Sequence, residues 1–495
     1  MKMKSYLLKI SSAALAICLA LGASGCSFTK TTTSDITETQ VKYIDTDGDG
    51  VADTPETESG VSSAAPSANS QVGNDKTQNI GSVDSSKEKK LKGTFELQIF
   101  SGGYGSEAWE YAIDEFQKLN PDLKITAHLD SNVNTQMKTR WAKDNPPDFV
   151  FLDGTDVPTE TWMAEGKLLD LGEIYRTGKV YGSDVLIKDH LKKGLTSSYK
   201  QTNKIYSMPV ILSTYGTWYD SALFTQKGWS VPSNYEELNA LCAKIKSSGT
   251  SPFIYPGKYS GYLVWGLLMP AVASEAVASG DRQYFYNVAN ATSGDVFKDE
   301  RFKSALRKLE SLVKAGYFDK SSLSLDHITS QSAWLNHKAA FIPNGLWLEN
   351  EMKNSIPSGF DMRYIPSLLQ NQGKPSCVIS NASSVGIAAK GKNTEAAKAF
   401  LRFLYTDKVA IKFVELTGSP SATRSDTSSA NISASAKQVN QLLSSDKITI
   451  IPKGSTTWGS VDTVINNCVN QIVNGETTVD KVCDTLAEAT AKKNK

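Results

Sequence analysis

The sequence predicts an α/β protein whose main body folds as two lobes, and three observations lead there. From residue 94 onward, apolar β-prone runs alternate with segments of helical period, which implies a mostly parallel sheet with helices on both faces. The roughly 400 residues after position 92 exceed what a single hydrophobic core usually supports. Residues 27–92, by contrast, are dominated by Ser, Thr, Ala, Asn, Gly and acidic side chains. Such a composition buries too little apolar area to offset chain entropy, so this stretch is expected to be a flexible tether. The expected organisation is a leader at 1–25, a tether at 26–92 and a body at 93–495.

The leader has a basic start (Lys2, Lys4, Lys9), an apolar stretch at 13–21, then Ala23-Ser24-Gly25-Cys26. The apolar stretch is too short to span ~30 Å of hydrocarbon, which marks it as a cleaved export signal. Small residues ending in cysteine resemble the bacterial lipobox, in which Cys26 is lipidated; an ordinary signal peptide with an incidental cysteine is the alternative. The tether holds Asp45-Thr46-Asp47-Gly48-Asp49-Gly50-Val51-Ala52-Asp53-Thr54-Pro55-Glu56. Asp45, Asp47, Asp49, Asp53 and Glu56 stand where a calcium loop places hard oxygen ligands around a glycine turn. Structural Ca²⁺ and a merely acidic linker are both open for this run.

In the body, a strand is expected at 94–100 and a helix at 107–119, which Asn120-Pro121 stops. A strand at 123–129, a helix at 133–141 and a buried strand at 149–152 follow. Further helices are expected at 235–246, 300–315, 394–405 and 480–492, with strands such as 339–343 between them. Ligands of open α/β sheets sit beyond the carboxyl ends of the strands, so the crevice should lie between the lobes. Outside the signal and Cys26, four cysteines remain: Cys242, Cys377, Cys468 and Cys483. They allow three pairings as well as free buried thiols.

Charge narrows the function. Lys and Arg number 53 against 52 Asp and Glu, a net of +1, which disfavours a nucleic-acid binder that must neutralise phosphates. Four histidines leave little material for metal or general-base chemistry. Gly386-Ile387-Ala388-Ala389-Lys390-Gly391-Lys392-Asn393 imitates a phosphate loop, but Asn393 stands where Ser or Thr must hold Mg²⁺. No H-E-x-x-H or G-x-S-x-G occurs, and no motif nominates the carboxylate pair of a glycosidase.

Ordered motifs then carry a resemblance. Phe116-Gln117-Lys118-Leu119-Asn120-Pro121 is similar to an F-x-x-x-N-P opening, and Pro147-Asp148-Phe149-Val150-Phe151 to a P-D-V-V strand. Asn203-Lys204-Ile205-Tyr206-Ser207-Met208-Pro209 resembles G-K-I-Y-G-V-P, and Trp218-Tyr219-Asp220 with Leu223-Phe224 resembles W-Y-N-x-x-L-F. His337-Lys338-Ala339-Ala340-Phe341 with Asn344-Gly345-Leu346-Trp347 resembles G-K-A-A-M followed by G-x-W, and Lys392 to Ala397 and Gly418-Ser419-Pro420 match the closing elements. Together these resemble the extracellular solute-binding proteins (family 1) of bacterial carbohydrate ABC importers. The stretches 329–334 and 347–352, extended by 359–362, look closest to the N-acetylglucosamine and chitobiose-binding members, with gluco- and cello-oligosaccharide binders close behind.

The resemblance implies a two-lobed periplasmic-binding-protein-like fold with a hinge and an inter-lobe ligand cleft. Lobe 1 is expected at about 93–211 and 339–376, lobe 2 at about 216–330 and 385–495, with strands exchanged near 210–215, 330–338 and 376–384. It implies a lipid-anchored monomer on the outer face of the cytoplasmic membrane that hands its sugar to ABC permease subunits with a cytoplasmic ATPase. No covalent step and no cofactor is required. A sugar offers apolar C–H faces and a rim of hydroxyls, so its site wants aromatic plates beside carboxylates or amides. The resemblance puts Trp218 and Trp347 near the cleft, and on that chemistry Tyr104, Asp153, Trp265, Glu349 and Trp458 are the further expected ligand residues. A secreted glycosidase and a surface adhesin are the rival readings.

Overall fold

The computed structural model describes residues 43–44, 54–55 and 76–494, apart from 155–156, 200, 446 and 454–457. The signal segment, Cys26 and the calcium-loop positions Asp45, Asp47, Asp49, Asp53 and Glu56 lie outside the described residues. Two short strands, β1 (Tyr43–Ile44) and β2 (Thr54–Pro55), pair antiparallel on either side of positions 45–53.

The body begins with β3 (Gly93–Phe100), where Phe95, Leu97 and Ile99 are fully buried. The helix Glu107–Leu119 covers it with Trp109, Ala112 and Phe116, and stops at Asn120 because Pro121 cannot continue it. The parallel partners of β3 are β4 (Leu123–Asp130) and β5 (Phe149–Phe151), the latter buried throughout, as a central parallel strand should be. The long strand β6 (Met208–Asp220) comes next, then β7 (Ser251–Phe253), β8 (Ala339–Gly345), β9 (Met362–Ile365), β10 (Ser376–Ile387) and β11 (Ile448–Pro452). They form one nine-stranded sheet in the order β4-β3-β5-β10-β6-β8-β7, with β11 on β10 and β9 on β6.

Two strands join the lobes. β6 pairs with β10 through Met208–Thr214 and with β8 and β9 through Tyr215–Asp220. β10 pairs with β11 through Ser376–Ser380 and with β5 through Val385–Ile387. Pairing is parallel among β3, β4 and β5, between β7 and β8 and between β10 and β11, but antiparallel wherever β6 or β10 meets the other strands. The sheet is therefore more mixed than its α/β alternation predicts, because the crossing strands run against both wings.

The lobe boundaries also differ from expectation. Residues 339–376 belong with 216–330, since β8 pairs with β7 and with the second half of β6. The helices Thr394–Leu404 and Asp407–Thr417 return to the first lobe, where Phe400, Phe403 and Phe413 share a core with Phe95, Trp109 and Phe149. The strand exchanges are at β6 and β10; 330–338 forms the end of the helix His327–Leu335 and the turn after it. The second lobe's core gathers the helices Tyr235–Ser247, Met269–Ala278, Glu300–Lys314, Ser460–Val473 and Val479–Lys493. The stretch Gly261–Ala278 is long and apolar enough to cross a bilayer, but its side chains are mostly buried in this core. Cys242, Cys377, Cys468 and Cys483 are free and buried there too, and burial pushes the Cys377 thiol up to about 12.

The end of the expected tether is a strap on the first lobe. Asp407 accepts from the backbone of Ile80 (2.8 Å) and Gly81 (3.1 Å), and Gln78 N donates to Arg424 O (2.8 Å). Arg402 forks onto Glu88 at 2.9 and 2.6 Å, while Glu88 also accepts from Gly182 N at 2.8 Å. Ile80, Val83 and Leu91 pack against the first lobe's core. A few apolar anchors and one acidic residue aimed at an arginine are enough to fix a stretch whose average composition reads as disordered.

Candidate functional site

The loop after β3, Ser101-Gly102-Gly103-Tyr104-Gly105, turns back through Gly105 at φ +72 and presents Tyr104 to the hinge. The Tyr104 hydroxyl donates to Ser213 Oγ on β6 at 3.0 Å, and Gly103 lies hard against Trp347. Two contacts clamp this loop and the helix after it to the helix Leu348–Met352 across the lobes: Asn350 Nδ2 to Gly103 O at 2.9 Å and Lys353 to Glu107 at 2.5 Å. Alternate residues of a strand face one side, so β6 offers Ser213 and Tyr215, and β10 offers Asn381 and Ser383, to the same space. The result is a cavity of about 910 Å³ with walls from both lobes and a floor on the two crossing strands.

Trp347 joins three of the aromatic rings in its lining. Tyr104, Tyr215 and Tyr262 meet it edge to face, at centroid distances of 6.1, 5.2 and 6.1 Å. Trp265 lies on a π-helical turn (Val264–Leu268), a device that re-aims side chains within a helix. It stacks on Trp458 at 4.8 Å, with the Lys453 ammonium 4.4 Å from its ring centre.

The polar rim also comes from both lobes. Asp153 follows β5 and accepts from Gly154 N at 2.7 Å; burial raises its carboxyl above the usual range, against hydrogen bonds from Ser383 and Gly154. Glu351 accepts from Gln331 Nε2 at 2.6 Å and is likewise raised by burial. Asp462, Asn466, Asn467 and Asn470 line the wall along the helix Ser460–Val473. Asn466 Nδ2 donates to Asp462 O at 2.9 Å, which fixes the amide's direction. Aromatic rings can cover a sugar's C–H faces while these carboxylates and amides bond its hydroxyls. Among the described residues no three His, Cys, Asp or Glu side chains gather as a metal would need.

Of the expected ligand residues, Tyr104, Asp153, Trp265 and Trp347 line this one cavity. Trp218 does not: it is 1% exposed in the core beside Tyr364, with Nε1 donating to Gly345 O at 3.1 Å. The even positions of β6 at this end point into the core, opposite to Tyr215. Trp458 is buried behind Trp265, its Nε1 bonded to Val288 O at 2.7 Å, so it backs the wall instead of forming it. Glu349 turns away and accepts from the hydroxyls of Ser433 (2.8 Å) and Ser435. Glu351 takes its place, and helical spacing carries the signal: Glu351 follows Trp347 by four residues and shares its face, whereas Glu349 follows by two. Tyr215, Tyr262 and the Asn466–Asn470 face are cavity residues that no sequence motif singled out. The phosphate-loop imitation is filled by Asp148, which accepts from Asn393 N and Glu96 N, both at 2.8 Å.

Comparison with known proteins gives a consistent result. Residues 102–411 match the family described as bacterial extracellular solute-binding protein. The chain is 25% identical over 326 residues to the diacetylchitobiose-binding protein NgcE of Streptomyces coelicolor, covering 65% of this chain and 67% of that protein. It is 23% identical over 312 residues to a multiple sugar-binding protein of Streptococcus mutans, covering 63% and 71%. Among solved structures, a chitin oligosaccharide binding protein superposes with a TM-score of 0.61 at 21% identity, covering 78% of this chain and 95% of its own.

Proposed function

The chain belongs to the bacterial extracellular solute-binding proteins, and we propose that it captures a carbohydrate for an ABC importer. The ligand is a mono- or oligosaccharide, either N-acetylglucosamine and chitobiose or a gluco- or cello-oligosaccharide. One observation carries this reading: the 910 Å³ cavity, whose walls from both lobes alternate aromatic rings with carboxylate and amide side chains. A ligand that touches both lobes favours the closed state by its differential affinity, and release follows when a permease reopens the cleft. Tyr104, Trp265 and Trp347 are assigned to the sugar faces, Asp153 and Glu351 to its hydroxyls. Capture needs neither covalent chemistry nor a cofactor. In the same reading Cys26 carries lipid and holds the chain on the outer face of the cytoplasmic membrane, beside permease subunits and their cytoplasmic ATPase; for the loop at 45–56, structural Ca²⁺ and a merely acidic linker both stay open.

The test is thermal melting of residues 27–495 against N-acetylglucosamine, chitobiose, cellodextrins, maltodextrins, xylo- and manno-oligosaccharides, with the sugars analysed afterwards. Ligand at a hundred times Kd adds about 2.7 kcal/mol of stability. A raised midpoint with the sugar intact is the expected result. No shift with any sugar would refute the carbohydrate reading, and cleavage of the sugar would replace it with an enzyme.

A further inference from the structure

The cavity has a second aromatic surface at its mouth. Tyr259 is 41% exposed, one of the most exposed large hydrophobic side chains among the described residues, yet its ring is firmly held. It stacks on the His327 imidazole at 3.8 Å and 18°. His327 Nδ1 is hydrogen-bonded in turn to the Tyr262 hydroxyl at 2.8 Å, and Tyr262 meets Trp347 edge to face. Tyr259, His327, Tyr262 and Trp347 thus form a continuous chain of ring contacts from the exposed Tyr259 inward to Trp347, and all four line the cavity. The successive centroid spacings are 3.8, 5.2 and 6.1 Å.

The backbone beneath Tyr259 is fixed. Gly257 sits so close to Ser322 and Leu323 that an added Cβ would stand 2.4 Å from Leu323 Cα. Lys258 N donates to Leu325 O at 3.1 Å, Tyr259 N to Pro256 O at 2.8 Å, and Asn470 Nδ2 to Gly257 O at 2.9 Å. His327 opens its helix behind a capping box of Asp326 and Thr329, and Lys258 pairs with Asp326 at 3.6 Å. An exposed ring on so rigid a base presents apolar area to a ligand with little ordering entropy left to lose. Beside it, Ser260, Asn466 and Asn470 offer hydrogen-bonding groups on the same wall.

Resting on the carbohydrate reading above, we propose that Tyr259 on His327 is a separate sugar-stacking platform, and that the physiological ligand is an oligosaccharide long enough to reach it from Trp347. A cavity near the top of the ~300–1,000 Å³ range of ligand pockets fits a chain better than a single sugar. The chemistry recognised is a neutral oligosaccharide with exposed C–H faces, its outermost ring on Tyr259.

The experiment is calorimetry with one homologous series, one to five units long, from whichever sugar raises the melting midpoint, on wild type, Tyr259→Ala and Tyr259→Phe. The platform predicts that wild-type affinity climbs with length, and that Tyr259→Ala lowers affinity for the longest sugar about tenfold more than for the shortest. Tyr259→Phe should restore most of that difference, because stacking needs the ring and not the hydroxyl. Equal losses at every length, no loss at any, or an affinity that stops rising at one unit would overturn the platform while leaving the carbohydrate reading intact. A wild-type protein that binds no sugar of any length would overturn both.

Discussion

Gly103→Ala tests the site without deleting any of its side chains. An added Cβ would lie 2.7 Å from Trp347 Cδ1, 2.9 Å from Cγ and 3.0 Å from Cβ. These atoms are at the root of the indole side chain, so turning its tip cannot relieve the contact. Trp347 has little backbone freedom either, since Leu346 N donates to Thr214 O at 3.2 Å and Glu351 N to Trp347 O at 2.9 Å. Gly103 itself has an ordinary φ, unlike Gly105, so alanine carries no backbone strain and the effect is one of packing. Overpacking of this kind costs about 1–3 kcal/mol. Tyr104, Tyr215 and Tyr262 all rest on the Trp347 indole, and its displacement reaches each of them. If even half of that energy is lost from binding, affinity falls about twofold to thirteenfold. Calorimetry with the sugar that raises the melting midpoint measures the loss, and thermal melting of the free protein measures the remainder. A variant that melts and binds as wild type would refute the claim that loop 101–105 holds Trp347. One that melts lower but binds unchanged would refute the claim that the position of Trp347 sets affinity.

Three other outcomes follow from the structure. A chain starting at residue 93 should melt below one starting at 76, because it loses the Arg402–Glu88 fork and the strap's bonds to Asp407; equal midpoints would show that the strap contributes no stability. Arg140, with His128 behind it, holds the Glu96 carboxyl at about 2, below its ordinary 4.5. A lowered carboxyl stabilises the fold above its unfolded pKa and loses that contribution as pH falls from 4.5 towards 2. Arg140→Met should therefore remove of order 1–3 kcal/mol at pH 7 and little at pH 2, read from denaturant titrations at both. Trp218→Ala should lower stability by about 3–5 kcal/mol as a core truncation. Trp218→Phe, which keeps most of the packing, should bind sugar within about twofold of wild type; a larger loss would return Trp218 to the site.

The fold was legible wherever one local rule decides the outcome. Pro121 ends a helix, the alternation of Phe95, Leu97 and Ile99 marks an inner strand face, and the apolar run at 149–151 reads as a strand buried on both sides. The lobe boundaries were not legible, because they depend on which strand pairs with which. β8 has the same apolar character whether it lies beside β7 or beside β5, and only the register with β6 decides. The strap was missed for a related reason: disorder is judged from average composition, whereas Glu88 and Ile80 act through a few specific partners, Arg402 and Asp407 among them, more than 300 positions away.

The same distinction sorts the candidate site. Tyr104 and Asp153 could be placed from sequence because each sits just past a strand's carboxyl end, where chain direction alone aims it at the crevice. Trp218 and Glu349 could not, since an aromatic or acidic residue inside a strand or helix faces the site or the core according to its phase. Trp218 is an odd number of residues from Ser213 and Tyr215 on β6, and Glu349 is half a turn from Trp347. Once Trp347 and Tyr215 fix the phase, Glu351 and Ser213 fall on the cavity side with no further information. The site is therefore set by two crossing strands and one short helix, and substitutions that shift their phase should disturb it more than the loss of any single polar contact.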